Sequence, residues 1–353
     1  MLAYSQQKLN TVPDPYLSRP AHIDDLDDVV NLYNVCAQVQ QNGHATTPEE
    51  VRADWTAEGF NMETSTRIVT TPDGQIIASV QIWDIDKPTV KMWCWGDVHP
   101  DYEHQGIGTY LLHWALNRAH EVAQTVDPDL KVTLQMGAIN TYEPINHLFA
   151  THPDSRLIRH FFTMAIEMTT PPPAPATIMG INGSPLTIRH LANNSATRRR
   201  FYDAHLDAFQ DHWGFVMPTD PDQDFKTWEH WFLSDKKFDH TLWFAAMDGD
   251  EIAGISLCKW ETADDPAMGW VNILGVRRPW RRSGLGLALL HHSFNTFYQR
   301  GRRKVGLGVD ASSLTGATRL YEKAGMKPIR QYNSYEWVIR PGRDISRQQI
   351  DES

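Results

Sequence analysis

The feature of this 353-residue sequence that most restricts its fold is an internal repeat at an offset of about 175 residues. Residues 72–83 (PDGQIIASVQIW) and 247–260 (MDGDEIAGISLCKW) each read as an Asp-Gly turn followed by an apolar strand. Residues 94–116 and 272–294 then share a short strand, a charged loop, Gly-x-Gly and an amphipathic helix. A third matching pair, INHLFATH and ATRLYEKAG, follows in each half. Three features in the same order predict a duplicated fold, with two unrelated α/β domains as the alternative.

A proline-rich stretch separates the two copies. Residues 169–176 read TTPPPAPA, which lacks the backbone donors for helix or sheet and is typical of a stiff spacer. We therefore predict a first domain over residues 17–168, a linker over 169–185 and a second domain over 186–341. Within each domain helices and strands alternate, which predicts an α/β fold with a mixed sheet flanked by helices.

Composition excludes several classes of protein. With 41% hydrophobic and 22% charged residues the chain reads as a soluble globular protein, and no apolar run approaches the roughly 18 residues that span a bilayer. The opening MLAYSQQKLN lacks the features of a secretory signal, so we expect a cytoplasmic protein with no membrane partner. A net charge of −10 argues against general nucleic-acid binding.

Metal chemistry is not expected. The three cysteines are far apart and lack CxxC spacing, which argues against both a disulfide framework and a cysteine-rich metal site. The 16 histidines are scattered and form no HExxH motif.

The most informative segment is VRRPWRRSGLGLALL, residues 276–290. After a predicted strand, residues 281–286 form an Arg-Arg-Ser-Gly-Leu-Gly turn into an apolar-faced helix predicted from Leu285 to about Arg300. Such a turn presents unpaired N–H groups at the positive end of a helix dipole, and the glycines let an anion approach the backbone. The arginines add forked donors suited to phosphate. The segment predicts a diphosphate site; the alternative is a plain strand-to-helix turn with solvated arginines.

Two other phosphate motifs fit less well. No GK[ST] is present for a P-loop. Gly306, Gly308 and Ala311 spell G-x-G-x-x-A, but the two glycines alternate with apolar residues inside what reads as one strand, whereas a dinucleotide loop follows its strand.

These residues resemble a known family. R-x-x-G-x-G at Arg281, Gly284 and Gly286 looks like the acetyl-CoA loop of the GNAT superfamily of N-acetyltransferases, and Ala317, Leu320, Tyr321 and Gly325 look like its second signature. The paired arrangement is similar to tandem acetyltransferases of the mycothiol synthase type. The resemblance implies two tandem domains, each with a splayed mixed sheet whose central gap admits the pantetheine arm of acetyl-CoA. The residues implied to bind the cofactor are Leu274 and Val276 along the arm, and Arg281, Arg282, Ser283, Gly284, Leu285 and Gly286 at the diphosphate.

The chemistry implied by the resemblance is acyl transfer from a thioester to an amine. A lysine-like amine is about 3.4 pKa units from half neutral at pH 7, a handicap of roughly 4.6 kcal/mol, whereas a thiolate with a pKa near 8.5 leaves fairly well. Tyr321 resembles the family's tyrosine acid; the alternative is that it only packs its helix on the sheet. For the base the sequence leaves several candidates open, together with a chain of waters. They are His212, Glu261, Asp211, Asp264 and Asp265.

The first copy departs from the pattern. Glu103 stands where Arg281 stands in the second copy, and Phe149 replaces Tyr321, while Gly106 and Gly108 remain and preserve the loop. We predict a degenerate first domain whose loop binds cofactor weakly, shapes the acceptor cleft or only stabilises its partner. The second copy departs at Leu314, where the family often has Asn.

The leading hypothesis is an acetyl-CoA-dependent N-acetyltransferase acting on a small-molecule amine by direct attack in a ternary complex, catalytic in its second domain. The alternative is a non-catalytic acyl-CoA-binding or regulatory protein built from two decayed repeats. A dinucleotide oxidoreductase is a third hypothesis, which predicts affinity for NAD and none for CoA.

Overall fold

The structure is a computed structural model that describes residues 11–40, 45–313 and 316–348. The first half of the chain forms six strands and five helices, listed here in chain order. They are β1 (Leu17–Arg19), α1 (Leu26–Val39), α2 (Pro48–Trp55), α3 (Met62–Ser65), β2 (Thr66–Thr70), β3 (Ile76–Trp83), β4 (Lys91–Val98), α4 (Ile107–Ala123), β5 (Val132–Ile139), α5 (Glu143–Thr151) and β6 (Ser155–Glu167).

The second half repeats this order with one difference among its helices. Its elements are β7 (Thr187–Arg189), α6 (Ser195–Phe209), α7 (Pro221–Leu233), β8 (Trp243–Asp248), β9 (Glu251–Lys259), β10 (Met268–Val276), α8 (Leu285–Gln299), β11 (Lys304–Asp310), α9 (Ala317–Lys323) and β12 (Lys327–Arg340). Short 3-10 turns at Pro100–Tyr102 and Arg278–Trp280 precede the two long helices α4 and α8. The mixed α/β fold expected from the sequence is confirmed. Among the described residues, no helix has the length and apolar character needed to cross a membrane.

The chain folds into two compact units that exchange segments. The first contains Met1–Arg159, Pro218–Ser234 and Tyr332–Ile345, with strand order β1-β2-β3-β4-β5-β12. The second contains His160–Met217, Asp235–Gln331 and Ser346–Ser353, with strand order β6-β11-β10-β9-β8-β7. Both units therefore have the same order of equivalent strands, as a duplicated fold requires.

The exchanged segments are the last strands of the two halves. β12 pairs antiparallel with β5 from Tyr332 to Arg340, and β6 pairs antiparallel with β11 from Phe161 to Glu167. The domain ranges predicted from the sequence treat each half as contiguous, whereas each unit takes its final strand from the other half. An open strand such as β5 needs a partner for its backbone groups, which β12 supplies.

Helix α7 belongs to the second half of the sequence but packs in the first unit. There Trp231 Nε1 donates to Asp54 Oδ1 over 2.9 Å and the His230 ring lies 3.1 Å from the carbonyl oxygen of Ala53. Burial raises the pKa of Asp54 to about 6, although the hydrogen bonds from Trp231 and Gln81 oppose that shift. This helix was not predicted from the sequence, although Asp220 as N-cap and Pro221 at the first helical position are a signal for it.

Each unit has an apolar core between its sheet and helices. In the first unit Trp337, which arrives with β12, is 1% exposed and lies edge-to-face on Phe149 at 5.3 Å between ring centroids. In the second unit Met164, which arrives with β6, is 1% exposed in a cluster with Leu290 and Phe294 of α8. The exchanged strands therefore contribute core residues as well as backbone pairing.

Candidate functional site

The site predicted in the second half lies where two parallel strands separate. β10 and β11 pair at Met268–Lys304, Gly269–Val305 and Trp270–Gly306, and no further pair joins them among the described residues although both strands continue. The register of β10 against β9 also shifts between Val271 and Ile273. The divergence leaves an opening along the last residues of β10.

Leu274 and Val276, predicted to bond a pantetheine arm, lie in this diverging segment. Both are held by the neighbouring antiparallel strand β9, Leu274 opposite Ser256 and Val276 opposite Gly254. The strand is therefore fixed on one side, while its other side faces the gap that opens toward β11.

The loop that follows β10 has a backbone shape suited to an anion. Arg282 has φ +62° and Gly284 has φ +89°, both left-handed, and α8 begins at Leu285. Because Arg282 and Gly284 are left-handed, successive backbone N–H groups of the loop point to the same side. The loop also precedes a helix whose first N–H groups have no acceptor within the helix. Trp280, 3% exposed, anchors the loop from below through a 2.8 Å hydrogen bond from its Nε1 to Asp248 Oδ2.

Arg281, predicted to meet the diphosphate, is engaged by the protein itself. Its guanidinium bonds Asp211 Oδ2 at 2.5 Å, the Ala208 carbonyl oxygen at 3.0 Å and the Val276 carbonyl oxygen at 3.1 Å. Asp211 is 0% exposed and also pairs with Arg278. Burial alone would raise the pKa of Asp211, but the hydrogen bonds and charges of the two arginines outweigh it and hold that pKa below its usual value. Arg281 thus ties the end of α6 to the loop.

Arg282 is the exposed cation of the loop. Its side chain faces solvent, and no hydrogen bond or ion pair engages its guanidinium among the described residues. The Ser283 hydroxyl is engaged within the loop, because it donates to the Trp280 carbonyl oxygen over 2.7 Å. Of the two arginines predicted for the site, the structure leaves Arg282 available to a ligand.

The second loop glycine brings two helices together. A Cβ on Gly286 would lie 3.2 Å from Cδ2 of Leu320 in α9, tighter than ordinary contact. This close approach sets the position of α9, which carries Tyr321. Tyr321 is 7% exposed, its hydroxyl makes no hydrogen bond among the described residues, and burial raises its pKa to about 12. Leu314, where the sequence lacks the family's Asn, lies outside the described residues.

His212 and Glu261 lie in different surroundings. His212 follows α6, with its ring 4.2 Å from that of Phe209, and its pKa is lowered to about 4 by burial and by the charge of Arg281, against the opposing charges of Asp211 and Asp310. Arg281 belongs to the loop and Asp310 ends β11, so His212 lies near the open end of the gap.

Glu261 lies toward the other end of the strands. Glu261 comes two residues after Lys259, which pairs with Trp270 where β10 and β11 are still joined. Lys259 is five residues, or roughly 17 Å, along β9 from Gly254, which lies beside the loop. Its carboxylate forms ion pairs with Lys237 and with Arg302. The structure therefore brings His212 toward the loop and places Glu261 away from it.

The first half builds the same loop with different side chains. β4 and β5 pair from Lys91–Thr133 to Cys94–Met136 and then diverge. His104 has φ +59° and Gly106 has φ +84° ahead of α4, and a Cβ on Gly108 would lie 3.3 Å from Leu148 of α5. The backbone course and the helix contact thus match those of the second half.

The side chains around the first loop carry negative charge. Glu103 Oε1 accepts a 2.5 Å hydrogen bond from the hydroxyl of Tyr142, and burial together with Glu103 raises the pKa of Tyr142. A cavity of about 410 Å³ opens here, lined by the ends of β4 and β5, the loop and α5. Tyr142 and Asp97 also line the cavity, and neither was predicted from the sequence as Glu103 was. The signal available for Asp97 is a carboxylate in the last residues of β4.

Comparisons with known proteins agree with this geometry. A sequence model of the Acetyltransferase (GNAT) family matches residues 26–144 and 199–326. A crystal structure of a GCN5-related N-acetyltransferase from Sphaerobacter thermophilus is similar at 32% identity and a TM-score of 0.73, covering 95% of this chain and 99% of that one. A tandem GNAT protein from the clavulanic acid biosynthesis pathway, 12% identical, covers 93% of this chain and 100% of its own at a TM-score of 0.64, which supports the fold.

A mycothiol acetyltransferase from Corynebacterium aurimucosum is 31% identical over 87 residues. That match spans 25% of this chain and 28% of the relative.

Among the described residues there is no group of three histidine, cysteine, aspartate or glutamate side chains that could hold a metal ion.

Proposed function

Since the chain belongs to the GNAT acetyltransferase family, we propose that it transfers the acetyl group of acetyl-CoA to the amine of a small molecule, with the second half as the catalytic copy. The observation that carries this proposal is a combination that, among the described residues, occurs in that half: a left-handed glycine loop with the exposed Arg282, and a buried tyrosine at Tyr321 on the helix that the loop contacts. The first half has Glu103 and Phe149 at the equivalent positions.

The loop of the second half would hold the diphosphate of the cofactor. Backbone N–H groups from Arg282 to Gly286 supply neutral donors, and Arg282 supplies a charge-assisted contact. Arg281 acts indirectly, by holding Asp211 and thereby the loop against α6. The thioester arm would then lie in the gap between β10 and β11, along Leu274 and Val276.

Tyr321 would donate a hydrogen bond to the sulfur of the leaving thiolate. With a pKa of about 12 its hydroxyl is neutral at physiological pH and is therefore a hydrogen-bond donor. A thiol has a pKa near 8.5, so complete proton transfer from the tyrosine would be uphill by about 3.5 units, or roughly 4.8 kcal/mol. Hydrogen-bond donation to the developing thiolate, with the proton finally supplied by solvent, is the cheaper route.

The amine must lose its proton before it attacks. His212 has a pKa of about 4, so it is neutral at pH 7 and able to accept a hydrogen bond, but it binds a proton too weakly to deprotonate an ammonium group by itself. We propose that His212 orients a water that carries the proton away. Glu261, already paired with two cations, is the weaker candidate.

Attack is direct in this proposal. The amine nitrogen bonds to the thioester carbonyl carbon, the carbon–sulfur bond breaks, and the thiolate leaves without an acyl-enzyme. The three cysteines are buried, and burial raises the pKa of each thiol, to about 11 for Cys258. A buried, protonated thiol is a poor nucleophile, which supports a ternary complex.

The net charge of −10 favours a cationic acceptor. The partial match to a mycothiol acetyltransferase makes the acceptor of that relative one compound to include in a test.

The test is a thiol-release assay with acetyl-CoA over a panel of amines, paired with calorimetric titration of CoA. We expect micromolar CoA binding and amine-dependent release of free thiol. CoA binding with no turnover on any acceptor would favour the non-catalytic binder instead, and binding of NAD but not CoA would favour the oxidoreductase.

A further inference from the structure

The cavity of the first half has no role in the proposed reaction. Its volume of about 410 Å³ falls in the size class of small-ligand sites. It lies where β4 and β5 diverge beside the loop of Gly106, which is the position of the cofactor gap in the second half. The fold has therefore kept a ligand-sized opening in a copy that lacks the tyrosine.

The wall of this cavity is acidic. Among the described residues that line it there are three carboxylates and no lysine or arginine. The three are Asp97, Glu103 and Glu143. Glu103 is fixed by the 2.5 Å hydrogen bond from Tyr142, on the side where a diphosphate would meet the loop. A diphosphate there would face a held negative charge. The basic side chains among the described lining residues are two histidines, His104 and His147, of which His147 lies 3.7 Å from the Glu143 carboxylate.

Asp97 carries a charge that the protein does not neutralise. Gln40 Nε2 donates to its Oδ1 over 2.8 Å, and no ion pair joins it to a cation among the described residues. Burial raises its pKa to about 6, and the charge of Glu103 adds to that shift. At neutral pH the carboxylate is thus ionised at a cost, which a bound cation would relieve.

The rest of the wall is aromatic and apolar. Trp95, in the last residues of β4, leaves 39% of its surface exposed while lining the cavity. Leu111, Met136 and Phe149 close the interior end, all buried. An indole beside carboxylates is a favourable setting for an ammonium group that carries an apolar substituent.

We propose that this cavity binds an organic cation, a single ammonium group with an aliphatic or aromatic substituent, and does not bind CoA. The ammonium group pairs with Asp97 and Glu103, and the substituent lies against Met136 and Leu111. This is a binding site only, with no chemical step, and it goes beyond the acetyl transfer proposed for the second half.

The test uses phenethylamine as the probe and 2-phenylethanol as its uncharged analogue, each titrated calorimetrically into the full chain at pH 7.5. We expect saturable phenethylamine binding, at least tenfold weaker binding of the alcohol, and a loss of about tenfold or more in phenethylamine affinity in Asp97→Asn and in Glu103→Gln. Asp101→Asn removes the same charge from an exposed residue outside the cavity and serves as the matched control, with affinity unchanged.

Melting curves of each variant show whether it is folded; Glu103 is partly exposed, so Glu103→Gln decides the matter if Asp97→Asn does not fold. Phenethylamine binding that is equal in the wild type, Asp97→Asn and Glu103→Gln overturns the proposal, as does a CoA stoichiometry of two in the wild type. Tyr321→Phe keeps the Asp97-dependent binding even where it removes turnover, so failure of the acetyl-transfer proposal and failure of this one are distinguishable.

Discussion

The loop after β4 and the loop after β10 share their backbone course and differ in charge. His104 and Gly106 in the first half and Arg282 and Gly284 in the second adopt the same left-handed φ values, and in both copies the next glycine contacts a leucine of the following helix. Around this shared frame the second half places arginines and Tyr321, whereas the first places carboxylates and Phe149. A duplicated turn therefore fixes where a ligand would lie, and a few side chains decide its charge.

The largest expected effect on kcat distinguishes Tyr321 from Phe149, its counterpart in the first half. Tyr321→Phe should lower kcat about 100-fold with little change in the KM for acetyl-CoA, because the developing thiolate loses its donor. Phe149→Tyr, which adds a hydroxyl at the equivalent place in the first half, should leave kcat unchanged. Steady-state kinetics of both variants measure this, and a Tyr321→Phe enzyme of undiminished rate would remove the proposed role.

The two positions before the left-handed residues should differ in stability. Arg281→Ala leaves the fully buried Asp211 with Arg278 alone, which should cost about 2–3 kcal/mol and lower the melting temperature by at least about 5 °C. Glu103→Ala removes only the contact with Tyr142 and should shift melting by less than about 2 °C. Calorimetric melting of the two variants tests the difference; equal shifts would mean that Arg281 does not brace the loop.

The exposed residues Arg282 and His104 of the two loops give a smaller contrast. Arg282→Ala should raise the KM for acetyl-CoA about tenfold, the value of one charge-assisted hydrogen bond to phosphate, without changing the melting temperature. His104→Ala in the first half should leave that KM unchanged. A KM insensitive to Arg282 would assign the diphosphate to the backbone alone.

The smallest expected effect is in the pH profile. Tyr321, with a pKa of about 12, and His212, with a pKa of about 4, do not change protonation between pH 6 and 10. The kcat/KM for the amine should therefore rise with pH only as the amine itself loses its proton. Tyr321→Phe should lower this profile without changing its shape, and a descending limb below pH 10 that disappears in Tyr321→Phe would contradict the assignment.

Much of the frame could be predicted because it depends on local residue preferences. Glycine favours a left-handed turn, and an apolar stripe at helical spacing predicts a buried helix face, so the Gly284 turn and the start of α8 at Leu285 follow from a few adjacent residues. The duplication was visible for the same reason, as each copy repeats these local signals in order.

The residues that decide function in each copy were harder to assign, because their roles depend on partners far away in the chain. Arg281 is predicted from its local sequence to bind phosphate, and its ion pair with Asp211, 70 residues earlier in the chain, could be found only in the structure. From the sequence, Glu103 indicates only that the first loop lacks the arginine of the second. In the structure it accepts a hydrogen bond from Tyr142 and lines an acidic cavity together with Asp97.

The sequence by itself determined the repeated strand, turn and helix and the residue types that each turn presents, since backbone dihedrals and hydrophobic periodicity act over neighbouring residues. Only the tertiary structure decided which arginine is free, which copy receives β6 and β12, and where α7 packs. Those outcomes come from burial and pairing between segments that many residues separate.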